Sequence, residues 1–319
     1  MPAASASASG GTSAPPPYLR LSPGAGPHEC AVSPDDWCHI NPRGPYGGQL
    51  TAHAVVAAAR CAPAGHTCHS CHLLFVRAGS LGEAHYVTTP VRIGRSYALY
   101  RVEGFDDSAG GALIATSLVS FHDVAAELVR GAPALGTSRM PVAPRPPPAA
   151  SSGWPSRAAA NADGTLWWFS WADEAGSQPL DARCDGATRA ALLGFLSDYS
   201  LLATAYAAHG REWSTAMMTS LDHTIHFHAP LSDPLGWLLF ETEAVWVASG
   251  RALCRGRMWE ASTGALVCSA TQEGVYRVAE RSPDEAGRSE RKPSPTIRDA
   301  LRGPPAAAQP QAPPARSRL

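Results

Sequence analysis

Two stretches of the chain alternate apolar and polar positions in the same order, each behind a segment of helical period. In "CHLLFVRAGSLGEAHYVTTPVRIGRSYALYRVEGFDDSAGGALIATSLVSFH" the two-residue alternation predicts a strand, a turn and three further strand-like segments. The stretch "HTIHFHAPLSDPLGWLLFETEAVWVASGRALCRGRMWEASTGALVCSATQEG" repeats that order, and each carries a Gly-Arg pair, Gly94-Arg95 and Gly250-Arg251. Phe75 finds its counterpart in Phe227 (227 − 75 = 152) and Gly111 in Gly264 (264 − 111 = 153). An offset this constant over about fifty residues predicts an internal duplication.

A helix is predicted ahead of each set of strands. "GGQLTAHAVVAAAR", Gly47 to Arg60, opens on two glycines and is otherwise rich in alanine and valine, the pattern of a helix buried on nearly all sides. In "ATRAALLGFLSDYSLLATAYAA", Ala191, Phe195 and Leu202 fall within about 40° of one another, and Asp198 lies inside that stripe. A helix followed by an antiparallel sheet, twice over, is an α+β arrangement in which the sheet wraps a central helix.

Composition locates the fold between the ends. Hydrophobic residues make up 45% of the 319 and charged residues 17%. Residues 1–17 are a Ser/Ala/Pro/Gly tail and residues 281–319 a second polar tail, both expected to be disordered because they hold too little apolar surface to offset chain entropy. Residues 126–160 have Pro/Ala-rich linker composition, which leaves an N-terminal unit at 18–125 and a C-terminal unit at 161–280. With 26 Lys and Arg against 27 Asp and Glu, the net charge of −1 offers no field to draw a polyanion, so nucleic acid is not an expected partner. No apolar run approaches the roughly 20 residues of a membrane span. The eight cysteines are irregularly spaced in a chain long enough to fold without covalent staples, which fits a reducing compartment.

Cys68-His69-Ser70-Cys71-His72 reads literally as C-x-x-C-H, the haem c attachment spacing. Strict alternation would send Cys68, Ser70, His72 and Leu74 to one face of a strand and His69, Cys71, Leu73 and Phe75 to the other. The thiols would then diverge, and no second ligand pair of zinc spacing accompanies them. The expected reading is a core strand with two free thiols. No metal, haem or nucleotide cofactor is expected.

"YGGQLTAHAVVAAA", "HSCHLLFVRAG", "GRSYALYRVEGF", "SDYSLL", "SLDHTIHFHAPL" and "GALVCSATQEGVYR" occur in an order that resembles the acyl-CoA thioesterase II family. The likeness covers about residues 35–280 and is most specific in the second half. It implies a double hotdog fold, two fused units each with an antiparallel sheet around a helix, and hydrolysis of fatty acyl-CoA to free acid and CoA. It further implies that Asp198, Ser220 and Gln272 hold the hydrolytic water. The residue types suit that role: a hydroxyl and a carboxamide can hold a carboxylate base and still orient a water. The first half has Cys68 opposite Ser220 and Val119 opposite Gln272, so one active site per chain is expected.

Gly48 and Gln49 open a helix, where backbone N–H groups backed by the helix dipole suit a thioester oxyanion. His69, Phe195 and Tyr199 are candidate pocket residues, with Trp167 and Trp168 as further apolar walls, and Arg77, Arg95 and Arg101 are candidates for the CoA phosphates. The rival reading is a non-catalytic acyl-CoA-binding or scaffolding hotdog protein; a dehydratase of the same fold is a third. A homo-oligomer is compatible with either. Ser317-Arg318-Leu319 fits the form of the S-K-L signal read by the peroxisomal import receptor, so the peroxisomal matrix is the expected location, with the cytoplasm as the alternative.

Overall fold

The computed structural model describes residues 15–40, 44–126, 139–143, 156–159, 165–171, 183–208 and 213–280. Of the segments expected to be disordered, 1–14 and 281–319, together with most of the linker and Ser317-Arg318-Leu319, lie outside these residues; Pro17, expected to belong to the disordered tail, instead opens a 3-10 turn that runs to Leu19. In chain order the strands are β1 (Ser22–Pro23), β2 (Glu29–Val32), β3 (His66–Phe75), β4 (Ala84–Ile93), β5 (Tyr97–Asp106), β6 (Ala112–Asp123), β7 (Ser156–Ala159), β8 (Leu166–Ser170), β9 (Trp213–Ser220), β10 (Asp222–Phe227), β11 (Trp237–Ala248), β12 (Arg251–Glu260) and β13 (Leu266–Glu280). The helices are α1 (Gly47–Ala59) and α2 (Gly186–Ser197).

All the strands join one antiparallel sheet in the order β1-β2-β4-β5-β6-β3-β10-β13-β12-β11-β8-β7, with β9 paired to β13. Read from either end, the order is the same series of counterparts. β3 and β10 meet at its centre with Thr224 opposite His72, residues that are themselves 152 apart. The duplication thus appears in space as a pseudo-two-fold axis through that pair. The fold is the α+β double hotdog.

α1 and α2 pack against each other inside the sheet. Ten residues of α1 are buried, from Gly48 to Ala58, and their small side chains allow the close approach. A Cβ on Gly48 would lie 2.2 Å from the Phe195 carbonyl oxygen, so only glycine permits this crossing. Gln49 is fully buried and ties down the N-terminal segment, its Oε1 accepting from the Cys38 amide at 2.8 Å and its Nε2 donating to the Asp36 carbonyl at 2.8 Å.

Three local expectations need correction. α2 ends at Ser197, so Asp198 is its C-cap and not part of a long helical stripe; Ser200, with φ 64°, turns the chain away. Ser156–Ala159, within the segment read as linker, form an edge strand against β8. The β3–β6 register shifts between Cys68 and Ser70, and this bulge breaks the alternation, so Cys68 and Cys71 both pack on the core. All eight cysteines are free, and no group of three metal-binding side chains occurs among the described residues. No helix among them is long and apolar enough to cross a membrane.

Candidate active site

Asp198, Ser220 and Gln272 come from three separate elements and meet where the α1 N-terminus crosses the C-terminus of α2. Gln272 is fully buried on β13; its Nε2 donates to Asp198 Oδ1 and to Ser220 Oγ, the latter at 2.8 Å. The Gly48 amide donates to Asp198 Oδ2 at 2.8 Å. A carboxylate only accepts, so the carboxamide must turn its nitrogen toward Asp198. That leaves Gln272 Oε1 buried with no hydrogen-bond partner among the described residues. An acceptor beside a carboxylate and a hydroxyl is the set needed to orient a water molecule for proton removal.

The amides expected to serve an oxyanion are committed elsewhere. Gly48 gives its N–H to Asp198, and Gln49 gives its N–H to the Tyr46 carbonyl at 3.0 Å. The α1 N-terminus therefore holds the candidate base itself, where the positive end of the helix dipole favours a negative charge. Gly47 is equally constrained, since a Cβ there would meet Asp198 Oδ2 and the Phe75 ring, each at 2.9 Å.

Phe195 is buried one turn before Asp198, among Tyr18, Tyr46 and Trp171 at ring separations of 5.1, 4.9 and 5.6 Å. Tyr46 Oη donates to the Phe195 carbonyl at 2.9 Å, fixing the last turn of α2. Tyr199 lies edge-on to Phe169 at 5.6 Å. Trp167 packs on the main core, whereas Trp168 belongs to a separate cluster with Leu239 and Trp259 on the other face of β8, so it is not a wall of this site. His69 is also elsewhere: its Nε2 pairs with Ser120 Oγ at 2.8 Å, and its ring meets Tyr97 and His122. Arg77, Arg95 and Arg101 are exposed, and Arg101 pairs with Glu103 at 3.4 Å.

His223 is a residue the sequence reading passed over. It is fully buried, its Nε2 is 2.7 Å from Ser197 Oγ, and Ser197 Oγ in turn donates to the Gly194 carbonyl at 2.9 Å. Nε2 must therefore carry the proton. Burial lowers its pKa, although Asp198 and Asp222 pull the other way. A neutral His223 pins the residue before Asp198 to β10. Its only signal in sequence is the His after Asp222 in "SLDHTIHFH".

Comparison with known proteins follows the same two halves. A family described as "Acyl-CoA thioesterase N-terminal domain" matches residues 33–122, and one described as "Acyl-CoA thioesterase C-terminal domain" matches 123–276. The chain is 40% identical over 84 residues to a human protein named acyl-coenzyme A thioesterase 8, a stretch covering 26% of each chain. It is 31% identical over 114 residues to acyl-CoA thioesterase 2 of Haemophilus influenzae, covering 35% of this chain and 38% of that one. The matched stretch thus spans about a quarter of the length of the first relative and under two fifths of the second. Among solved structures, acyl-CoA thioesterase II TesB2 of Mycobacterium marinum superposes with a TM-score of 0.66 at 24% identity, covering 84% of this chain and 97% of that one. A tesB protein of Mycobacterium avium subs paratuberculosis gives 0.65 at 25% identity, covering 82% and 96%.

Proposed function

Because the chain belongs to the acyl-CoA thioesterase family, we propose that it hydrolyses fatty acyl-CoA to the free acid and CoA with a water held by Asp198, Ser220 and Gln272. The observation that carries the reading is the convergence of these three side chains, with Gln272 donating to both of the others. Gln272 Oε1 accepts a hydrogen bond from one O–H of the water, whose proton stays with the oxygen, and Asp198 removes the other proton as the water oxygen bonds to the thioester carbonyl carbon. The tetrahedral intermediate then expels sulfur, the C–S bond breaks, and the proton passes from Asp198 to the CoA thiolate. Ser220 holds the carboxamide in register and offers its own hydroxyl proton to the site. No cofactor enters these steps.

The test is steady-state thiol release from a chain-length series of acyl-CoAs. Turnover that disappears in Asp198→Asn supports the assignment. Saturable acyl-CoA binding without thiol release from the unaltered protein would overturn it in favour of a non-catalytic acyl-CoA-binding protein. The peroxisomal matrix is proposed as the compartment on the strength of Ser317-Arg318-Leu319. Punctate localisation of an N-terminally tagged chain that survives deletion of 317–319 would refute that address.

A further inference from the structure

The pseudo-two-fold gives each member of the trio a counterpart at the opposite end of the helix pair. With the helix N-caps Tyr46 and Asp185 in register (185 − 46 = 139), Asp198 corresponds to Ala59, the last residue of α1, and Gly48 to Ala187. In the strands Ser220 corresponds to Cys68 (220 − 68 = 152), Phe75 to Phe227 (227 − 75 = 152) and Gln272 to Val119 (272 − 119 = 153). Base, hydroxyl and carboxamide are thus replaced by a methyl, a thiol and an isopropyl group. Burial and the neighbouring Cys71 push the Cys68 thiol far up, so it is no nucleophile. The chemistry is gone from this end.

The space is not. A cavity of about 1090 Å³ opens there, and Ala59, Cys68, Ala187 and Phe227 all line it. This volume lies just above the roughly 300–1,000 Å³ that small-molecule sites occupy, room enough for a long acyl chain. Gly186, Ala190 and Leu193, spaced along one face of α2, form an apolar wall, and Phe121 forms part of another. The charged side chains at the cavity are spent on the protein. Arg189 donates to the carbonyls of Cys184, Leu231 and Ser232, and Asp185 caps the Thr188 amide at 2.7 Å. One polar side chain at the cavity, His66, has both ring nitrogens buried with no hydrogen-bond partner among the described residues. One of them must carry a proton and the other a lone pair, so a carboxyl or carbonyl group set against the ring would find a donor.

We propose that this cavity is a second, non-hydrolytic acyl-chain site, which takes the fatty chain of a free acid or of an intact thioester with its polar end at His66. It rests on the reading of the chain as an acyl-CoA hydrolase, because the walls are the duplicated form of the walls around the trio. The lack of a committed carboxylate and carboxamide means that an acyl group held here persists. The site is therefore suited to sensing the pool of substrate or product.

The experiment is calorimetric titration of the full chain with palmitate in one arm and with a non-hydrolysable palmitoyl thioether of CoA in the other. Ala190→Trp and Ala187→Phe each fill the cavity from α2 without touching the trio. In at least one arm the unaltered protein is expected to bind one equivalent more per chain than either variant, and the arm that loses it names the source. His66→Phe is expected to weaken that equivalent about tenfold, the worth of one hydrogen bond to a buried group. Thiol release by both filled variants stays within about twofold of the unaltered protein. Equal stoichiometry in unaltered and both filled proteins, with all three shown folded by circular dichroism, overturns the proposal. An extra equivalent lost on filling, in a protein that releases no thiol, would sink the hydrolase reading and leave the second site standing.

Discussion

Asp198→Asn tests both the geometry and the chemistry of the trio, because the substitution changes almost no volume. The carboxylate accepts from the Gly48 amide at Oδ2 and from Gln272 Nε2 at Oδ1. An asparagine keeps one acceptor and brings an NH₂ group in place of the other, so one donor must face a donor whichever way its amide is turned. The mismatch is relieved only if Gln272 rotates its carboxamide, which would spend Oε1 on the asparagine, reverse the bond to Ser220, and leave the donor Nε2 in the buried position that has no partner. A buried donor left unmatched costs about 1–3 kcal/mol, which for a chain of this size lowers the melting temperature by about 2–10 °C. The catalytic loss is larger. Removing a general base costs about 100- to 10,000-fold in rate, and it falls on kcat with KM nearly unchanged, because the water is engaged in the transition state and not in binding. Thiol release from a saturating long-chain acyl-CoA, alongside a thermal melt, reads both effects. A kcat within threefold of the unaltered protein would refute the role of Asp198, and a large KM increase at constant kcat would move it from chemistry to binding.

Ser220→Ala is expected to lower kcat by less than Asp198→Asn, since Gln272 remains anchored by Asp198; a greater loss, with a burst of acyl-enzyme, would mean a serine nucleophile. Gly48→Ala drives a Cβ to 2.2 Å from the Phe195 carbonyl and 2.6 Å from the Tyr46 ring, and overpacking of this kind costs about 1–3 kcal/mol, read by chemical denaturation with a parallel fall in kcat as Asp198 is displaced. His53 is fully buried between the Tyr18 carbonyl and the Tyr86 hydroxyl, and burial lowers its pKa to about 3. The unfolded chain therefore takes up a proton below about pH 6.5 that the folded chain refuses, and stability falls with decreasing pH at up to about 1.4 kcal/mol per unit. Denaturation midpoints at pH 7.5 and 5.0 should differ accordingly, and His53→Gln should reduce the difference; an unchanged difference would assign the acid sensitivity to other groups.

The sequence by itself determined the duplicated order of elements, because strand alternation and helix periodicity are local properties and the repeat offset is a property of the string. Through its resemblance to a family, it also named the residues proposed here to hold the water, in "SDYSLL", "SLDH" and "TQEG", each a short motif on one element. It could not determine where those motifs point. The helix expected to run through Asp198 stops at Ser197, and the left-handed Ser200 places the carboxylate at a helix end. Strict alternation at Cys68 was overridden by a bulge whose cause is the register against β6, a partner that lies about fifty residues away. Most consequential is the N–H of Gly48, read locally as a free donor for an oxyanion. Its partner is a carboxylate 150 residues distant, brought within 2.8 Å only because α1 and α2 cross where two glycines let their backbones touch. Local pattern sets the elements; the tertiary packing of one half against the other decides which donors are spent and which acceptor is left without a partner, because both depend on atoms that lie far apart along the chain.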